Sequence, residues 1–182
     1  MGETAGQPVR IFGMGATGTV DPQGRVVFPR CWRRPGDEKA EFVLAAGLSR
    51  SIALFPADSF DAMLMRVMDR APQTEQAQNW LSIYMQMSQR VQLDGHGRFP
   101  IPDELLHYAG IERKGECEFV SGVGIGRLFA PGRWRRIRLG NHPEPELTPQ
   151  QEDALSEDEL ESLTVKRAID FISQLSSERT AP

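Results

Sequence analysis

The chain of 182 residues is long enough for one ordinary domain or two small ones. Its 40% hydrophobic and 25% charged content is that of a soluble globular protein, and it holds no run of 18 apolar residues that would cross a bilayer. The net charge of −4 hides a division: residues 1–139 carry 18 basic against 15 acidic side chains, and residues 140–182 carry 3 against 10. A mildly basic body precedes an acidic tail, and that asymmetry informs about partners more than the average does.

The beginning, Met1-Gly2-Glu3-Thr4, has no basic stretch followed by an apolar one, so no signal peptide is expected. Cys31 and Cys117 have no CxxC partner, which points to a reducing compartment with buried or idle thiols rather than a disulfide or zinc site. The first clear element is Val20-Asp21-Pro22-Gln23-Gly24-Arg25-Val26-Val27-Phe28-Pro29. It reads as a hairpin turn: the Asp21 carboxylate is placed to accept from N–H groups two or three residues on, Gly24 supplies a positive φ, and Pro29 ends the strand. Arg30, Arg33 and Arg34 around Trp32 follow as a basic cluster, either for phosphates or as a solvated face over a core tryptophan.

A strand at 41–44, a glycine turn at 46–48 and a second strand at 52–56 come next. Asp58 or Ser59 is placed to cap a helix with Phe60, Met63, Leu64, Val67 and Met68 on one face, stopped at Ala71-Pro72. A second helix is expected over 73–89, with Ala77, Trp80, Leu81, Tyr84 and Met85 on one face. At this spacing the methionines read as core rather than as a ligand groove.

Leu93-Asp94-Gly95-His96-Gly97-Arg98-Phe99-Pro100-Ile101-Pro102 then repeats the first turn at an offset of 73, with Asp, Gly, Arg and Pro recurring. A short helix over 102–110, with acids in its first turn and Gly110 past its end, leads to a strand at 118–120. The glycine turn 122–124 lacks GxGxxG spacing and reads as a hairpin, and a strand over 127–131 follows. The order strand, turn, strand, connector, strand, turn, strand is thus duplicated. Arg133, Arg135, Arg136 and Arg138 around Trp134 form a second basic cluster, which reads rather as a solvated face over a core tryptophan, placed to pair with the adjoining acidic tail, than as phosphate contacts. Residues 140–151, with Pro143, Pro145 and Pro149, read as a linker, and 156–175 as an amphipathic helix opened by a Ser156/Glu159 capping box. Composition leaves this helix either packed on a subunit or partner, or solvated.

These features together resemble the MraZ family of bacterial transcriptional regulators, within the SpoVT–AbrB group. The resemblance covers about residues 9–139 and rests on Phe12-Gly13, Asp21 with Arg25, Asp94 with Arg98, Gly47-Leu48 through Phe55-Pro56, Ile101-Pro102 with Tyr108-Ala109-Gly110, Gly122-Val123-Gly124 and Trp134. It implies a mixed α+β, β-dominated fold: two tandem AbrB-like swapped-hairpin β-barrel modules with pseudo-twofold symmetry, helices, and a C-terminal helical extension. The expected division is 8–72, 73–139 and a tail over 140–182. The resemblance also implies ring-like homo-oligomers in the cytoplasm, associated with the nucleoid. They would bind repeated double-stranded DNA boxes upstream of a cell-division and cell-wall gene cluster, as a repressor-type regulator.

On this reading Arg25 and Arg98 reach DNA from the turn tips, Arg30, Arg33 and Arg34 add phosphate contacts, and Asp21, Gly24, Asp94 and Gly97 structure the turns. The bland alternative is that each arginine only neutralises the aspartate of its own turn. Gln23 and His96 occupy the position before Gly-Arg where the family carries lysine or glutamine, which lowers the positive charge of the tips. With the acidic tail, they favour the competing expectation of an oligomeric interaction protein that does not read DNA. No enzyme, cofactor, metal or small-molecule substrate is expected: His96, His107 and His142 lack ligand spacing, and Ser51, Ser88 and Ser121 lack a nucleophile context.

Overall fold

The computed structural model describes residues 9–139 and 154–177; the expected linker and His142 lie outside them. The first repeat supplies β1 (Ala16–Thr19), β2 (Arg25–Val27), a single 3₁₀ turn (Arg30–Trp32), β3 (Glu41–Gly47) and β4 (Ser51–Pro56). Helices α1 (Ala57–Arg70) and α2 (Glu75–Gln86) follow. The second repeat supplies β5 (Ser88–Gln92), β6 (Arg98–Pro100), α3 (Asp103–Ala109), β7 (Glu116–Val120) and β8 (Gly126–Phe129). Short α4 (Arg133–Arg138) and long α5 (Glu157–Ser177) complete the described residues.

Six strands form one antiparallel sheet in the order β1-β7-β8-β4-β3-β5, and β2 pairs with β6 in a separate ribbon. Exchanging the repeats converts β1 into β5, β7 into β3 and β8 into β4, so the order reads the same from either end. The first strand of each repeat pairs with the third strand of the other: β1 with β7, and β5 with β3. The fold is therefore mixed α+β around an antiparallel sheet, with five α-helices among the described residues. Its hydrogen-bonded ladder does not close into a barrel, because β1 and β5 remain unpaired edges.

The core beneath the sheet is aromatic. Trp32 lies 5.0 Å from Phe12, 5.3 Å from Phe119 and 6.1 Å from Phe28 between ring centroids, all edge-to-face. Its indole N–H donates to the Met14 carbonyl at 2.8 Å, so the polar atom is satisfied while the ring is buried. Phe28 also meets Phe42 and Phe99, which ties the ribbon to the main sheet.

The helices differ from expectation in instructive ways. No side chain caps α1; its cap position is Pro56, the last residue of β4, because the strand runs straight into the helix and leaves Asp58 and Ser59 already inside it. Thr74 caps α2 through Ala77 N at 3.2 Å, and the helix ends at Gln86 because Ser88 begins an edge strand. Phe60, Met63, Val67, Ala77 and Tyr84 are buried as the spacing predicts, but Met68 and Met85 are 53% and 43% exposed. Helix α5 packs against both α1 and α2 of its own chain, burying Val165, Ala168, Ile169 and Ile172. Its capping box forms, with Ser156 Oγ donating to Glu159 at 2.6 Å, and Arg70 of α1 donates to the Leu175 carbonyl at 2.8 Å near its other end.

Candidate nucleic-acid interface

The two Asp-x-x-Gly-Arg segments fold into the same turn. Asp21 Oδ1 accepts from the N–H groups of Gln23 and Arg25 at 2.9 and 2.8 Å, and Asp94 Oδ1 accepts from His96 and Arg98 at 2.9 Å each. The other carboxylate oxygen accepts from the arginine side chain of its own turn, Arg25 Nε and Arg98 Nε both at 2.9 Å. Gly24 and Gly97 stand at φ +77° and +71°, the left-handed region that this closure requires. The spacing is thus a hydrogen-bond requirement: a short side chain reaching forward two and four residues, and a residue without Cβ before the arginine.

The ribbon sets these turns side by side. Val26 faces Phe99, and Arg25 faces Pro100 as Arg98 faces Val27. The pairing continues beyond the strands, with Phe28 N donating to Gly97 O at 2.9 Å and Ile101 N to Gly24 O at 2.8 Å. Arg98 Nη1 also approaches Asp21 at 3.7 Å, so the turns touch electrostatically. Arg25 and Arg98 keep 34% and 27% of their side chains exposed and are not enclosed in the core.

Backbone N–H donation from Arg98 and His96, with the Arg98 guanidinium, outweighs partial burial and holds the Asp94 carboxyl down at about 2. At Asp21 burial opposes ionisation, but hydrogen bonds from Arg25 and Gln23 and the Arg25 charge prevail, and its pKa is lowered. Both carboxylates are ionised at neutral pH, and each turn is a tethered ion pair.

Arg33 lies over the second turn, donating from Nε to Phe28 O at 3.1 Å and from Nη2 to Gly97 O at 3.3 Å. Arg30 is exposed, and its side chain makes no hydrogen bond or ion pair among the described residues. Arg34 is exposed, its side chain reaching Ile11 O at 3.4 Å. The structure thus brings Arg33 to the paired turns and leaves Arg30 and Arg34 on the adjoining surface. In the second cluster, Arg135, Arg136 and Arg138 are exposed on α4, and the Trp134 ring lies 5.5 Å from buried Phe129.

Two pairs have no signature in the sequence. Arg113 lies against the first turn, donating to Pro22 O at 2.9 Å and forking onto Asp103 at 2.6–3.0 Å. Arg10 is buried, forks onto Asp37 with both contacts at 2.7 Å, donates to Trp32 O at 2.6 Å, and sits 5.1–5.5 Å from the ring centroids of Phe12, Phe28 and Phe42. The Arg10 pair anchors the segment that ends in the basic cluster. Among the described residues no three of His, Cys, Asp or Glu converge to hold a metal, and no helix is long and apolar enough to cross a membrane.

No family model matches the chain. It is similar to the transcriptional regulator MraZ of Symbiobacterium thermophilum, 26% identical over 115 residues, which cover 63% of this chain and 80% of that protein. The transcriptional regulator MraZ of Thermomicrobium roseum is 28% identical over 118 residues, covering 65% and 80%. That of Thermus thermophilus is 23% identical over 131 residues, covering 70% and 90%. These matches span most of each relative. The chain is thus similar to transcriptional regulators named MraZ, at 23–28% identity in these three matches.

Proposed function

We propose that the chain is a DNA-binding transcriptional regulator of repressor type, acting as a ring-like homo-oligomer in the cytoplasm, at the nucleoid. Its targets are repeated boxes upstream of a cell-division and cell-wall gene cluster, as the family resemblance implies. The observation that carries this reading is the side-by-side placement of two turns of the same fold, each offering a partly exposed arginine from a two-stranded ribbon. A ribbon of this kind fits the major groove, where an arginine reads guanine through two donors. On this reading the modules are 8–72 and 73–139, intertwined by the β1–β7 and β5–β3 exchanges as a swapped-hairpin pair, with the tail over 140–182.

The ion pair inside each turn is compatible with DNA reading. Asp21 engages Arg25 Nε while Gln23 accepts from its Nη2, and Asp94 engages both Nε and Nη2 of Arg98; this fixes the direction of each guanidinium, which has five N–H donors, so donors remain for a base edge. A side chain already held in one geometry loses less entropy on binding. Arg33, Arg30 and Arg34 supply charge that the turns themselves cancel. One ribbon offers few contacts, so useful affinity requires several copies engaging several boxes at once.

The same internal pairing favours a second reading, an oligomeric interaction protein of this fold that does not read DNA, since the turn arginines are already neutralised. An electrophoretic shift assay at low salt separates the two. The regulator reading expects retardation of the segment upstream of the chain's own gene, with weaker retardation of a random duplex of equal length. No retardation of either duplex supports the second reading.

A further inference from the structure

The two turns share a fold but not a charge. Each is clamped by an arginine from the opposite repeat: the first by Arg113, the second by Arg33. The clamps explain the glycines a second time. A Cβ at Gly97 would collide with the Arg33 guanidinium, and one at Gly24 would lie 3.3 Å from Ile101 O and 3.7 Å from the Arg113 guanidinium. Yet the clamps are not counterparts in the duplicated sequence, because the 73-residue offset brings neither arginine onto the other.

Their electrostatics differ as well. Arg113 commits Nε and Nη2 to the Asp103 carboxylate and Nη1 to Pro22 O, so its charge is cancelled and most of its donors are used. Arg33 meets only the neutral carbonyls of Phe28 and Gly97. Phosphate binding needs uncompensated charge and free donors, and charge released from counterions is what the salt dependence of binding counts.

We propose that Arg33 is a phosphate contact while Arg113 is a positioning residue held off DNA by Asp103, so that the pseudo-symmetric ribbon binds with its second turn dominant. The consequence is polarity: a nearly twofold reader acquires one preferred orientation on each DNA box. This inference rests on the regulator reading above.

The test is the slope of log affinity against log salt for the upstream duplex, with a random duplex as control. Thermal melting of every variant checks that the fold is kept. Arg33→Gln lowers the slope by about 0.9 per bound copy, roughly a threefold change across a fourfold range of salt, whereas Arg33→Lys retains it. Asp103→Asn releases Arg113 and raises the slope by about the same amount. Adding Arg113→Gln to Asp103→Asn abolishes that gain. Equal slopes for Asp103→Asn and the unaltered chain, or a gain that survives Arg113→Gln, overturn the proposal while leaving the regulator reading intact. If Arg33→Gln does not fold, the Asp103 and Arg113 series decides alone. A salt-independent or absent interaction of the unaltered chain with DNA removes both.

Discussion

Arg98 approaches Asp21 to 3.7 Å across the ribbon, so the carboxylate that organises the first turn also faces the guanidinium of the second. The two turns form one electrostatic unit, and acid should dismantle it. Asp94 is held at about 2 in the folded chain, against 3.8 for an ordinary aspartate. A depressed carboxyl contributes stability that is complete above its unfolded value and is lost as pH falls through the folded one. Lowering the pH from about 4 to about 2 should therefore destabilise the fold, with Asp21 acting in the same direction. Carboxyl NMR titration should place Asp94 near 2; a midpoint close to 3.8 would mean that the turn does not hold its carboxylate.

Gly97 should tolerate substitution less well than Gly24. Both sit at positive φ, where a Cβ costs about 1–2 kcal/mol, but only at Gly97 does the added carbon also run into a guanidinium. Chemical denaturation should show Gly97→Ala losing more stability than Gly24→Ala. Equal losses would show that the Arg33 clamp simply moves aside.

Breaking the buried Arg10–Asp37 fork should be the most costly single change considered. Asp37→Ala leaves a guanidinium enclosed by Phe12, Phe28 and Phe42 without its counter-charge, which costs about 3–5 kcal/mol. That is a large part of a domain's total stability. A shift in the denaturation midpoint corresponding to less than about 1 kcal/mol would place Arg10 in solvent instead.

The thiols should separate cleanly under alkylation. Burial pushes the Cys117 thiol up to about 12, whereas Cys31 is exposed. Iodoacetamide should modify Cys31 in the folded chain and Cys117 only after unfolding, as read by mass spectrometry. Labelling of both at equal rates in the native state would contradict the packing of β7 against β1.

What the sequence made legible was local or repeated. The Asp-x-x-Gly-Arg turns could be read because their hydrogen bonds span two to four residues, and the duplication exposed them. The Ser156/Glu159 box and the Gly110 stop of α3 are local in the same sense. What escaped was long-range. Arg10 and Asp37 are 27 residues apart, and Arg113 reaches Pro22 across 91. No spacing rule links such residues. Met68 and Met85 follow the apolar period of their helices, but periodicity does not say how wide a stripe a third helix will cover. The missing side-chain cap on α1 has a comparable cause: β4 runs directly into the helix, so Pro56 takes the cap position and Asp58 and Ser59 fall inside it.

The most direct measurement is the salt-dependent affinity of the Arg25→Ala, Arg98→Ala double variant for the upstream duplex and for a random one, with melting as a fold control. A bidentate arginine–guanine contact is worth about 1–3 kcal/mol of discrimination, so the double variant should bind the two duplexes almost alike while keeping its fold. Unchanged discrimination by a folded double variant would show that the paired turns do not read DNA.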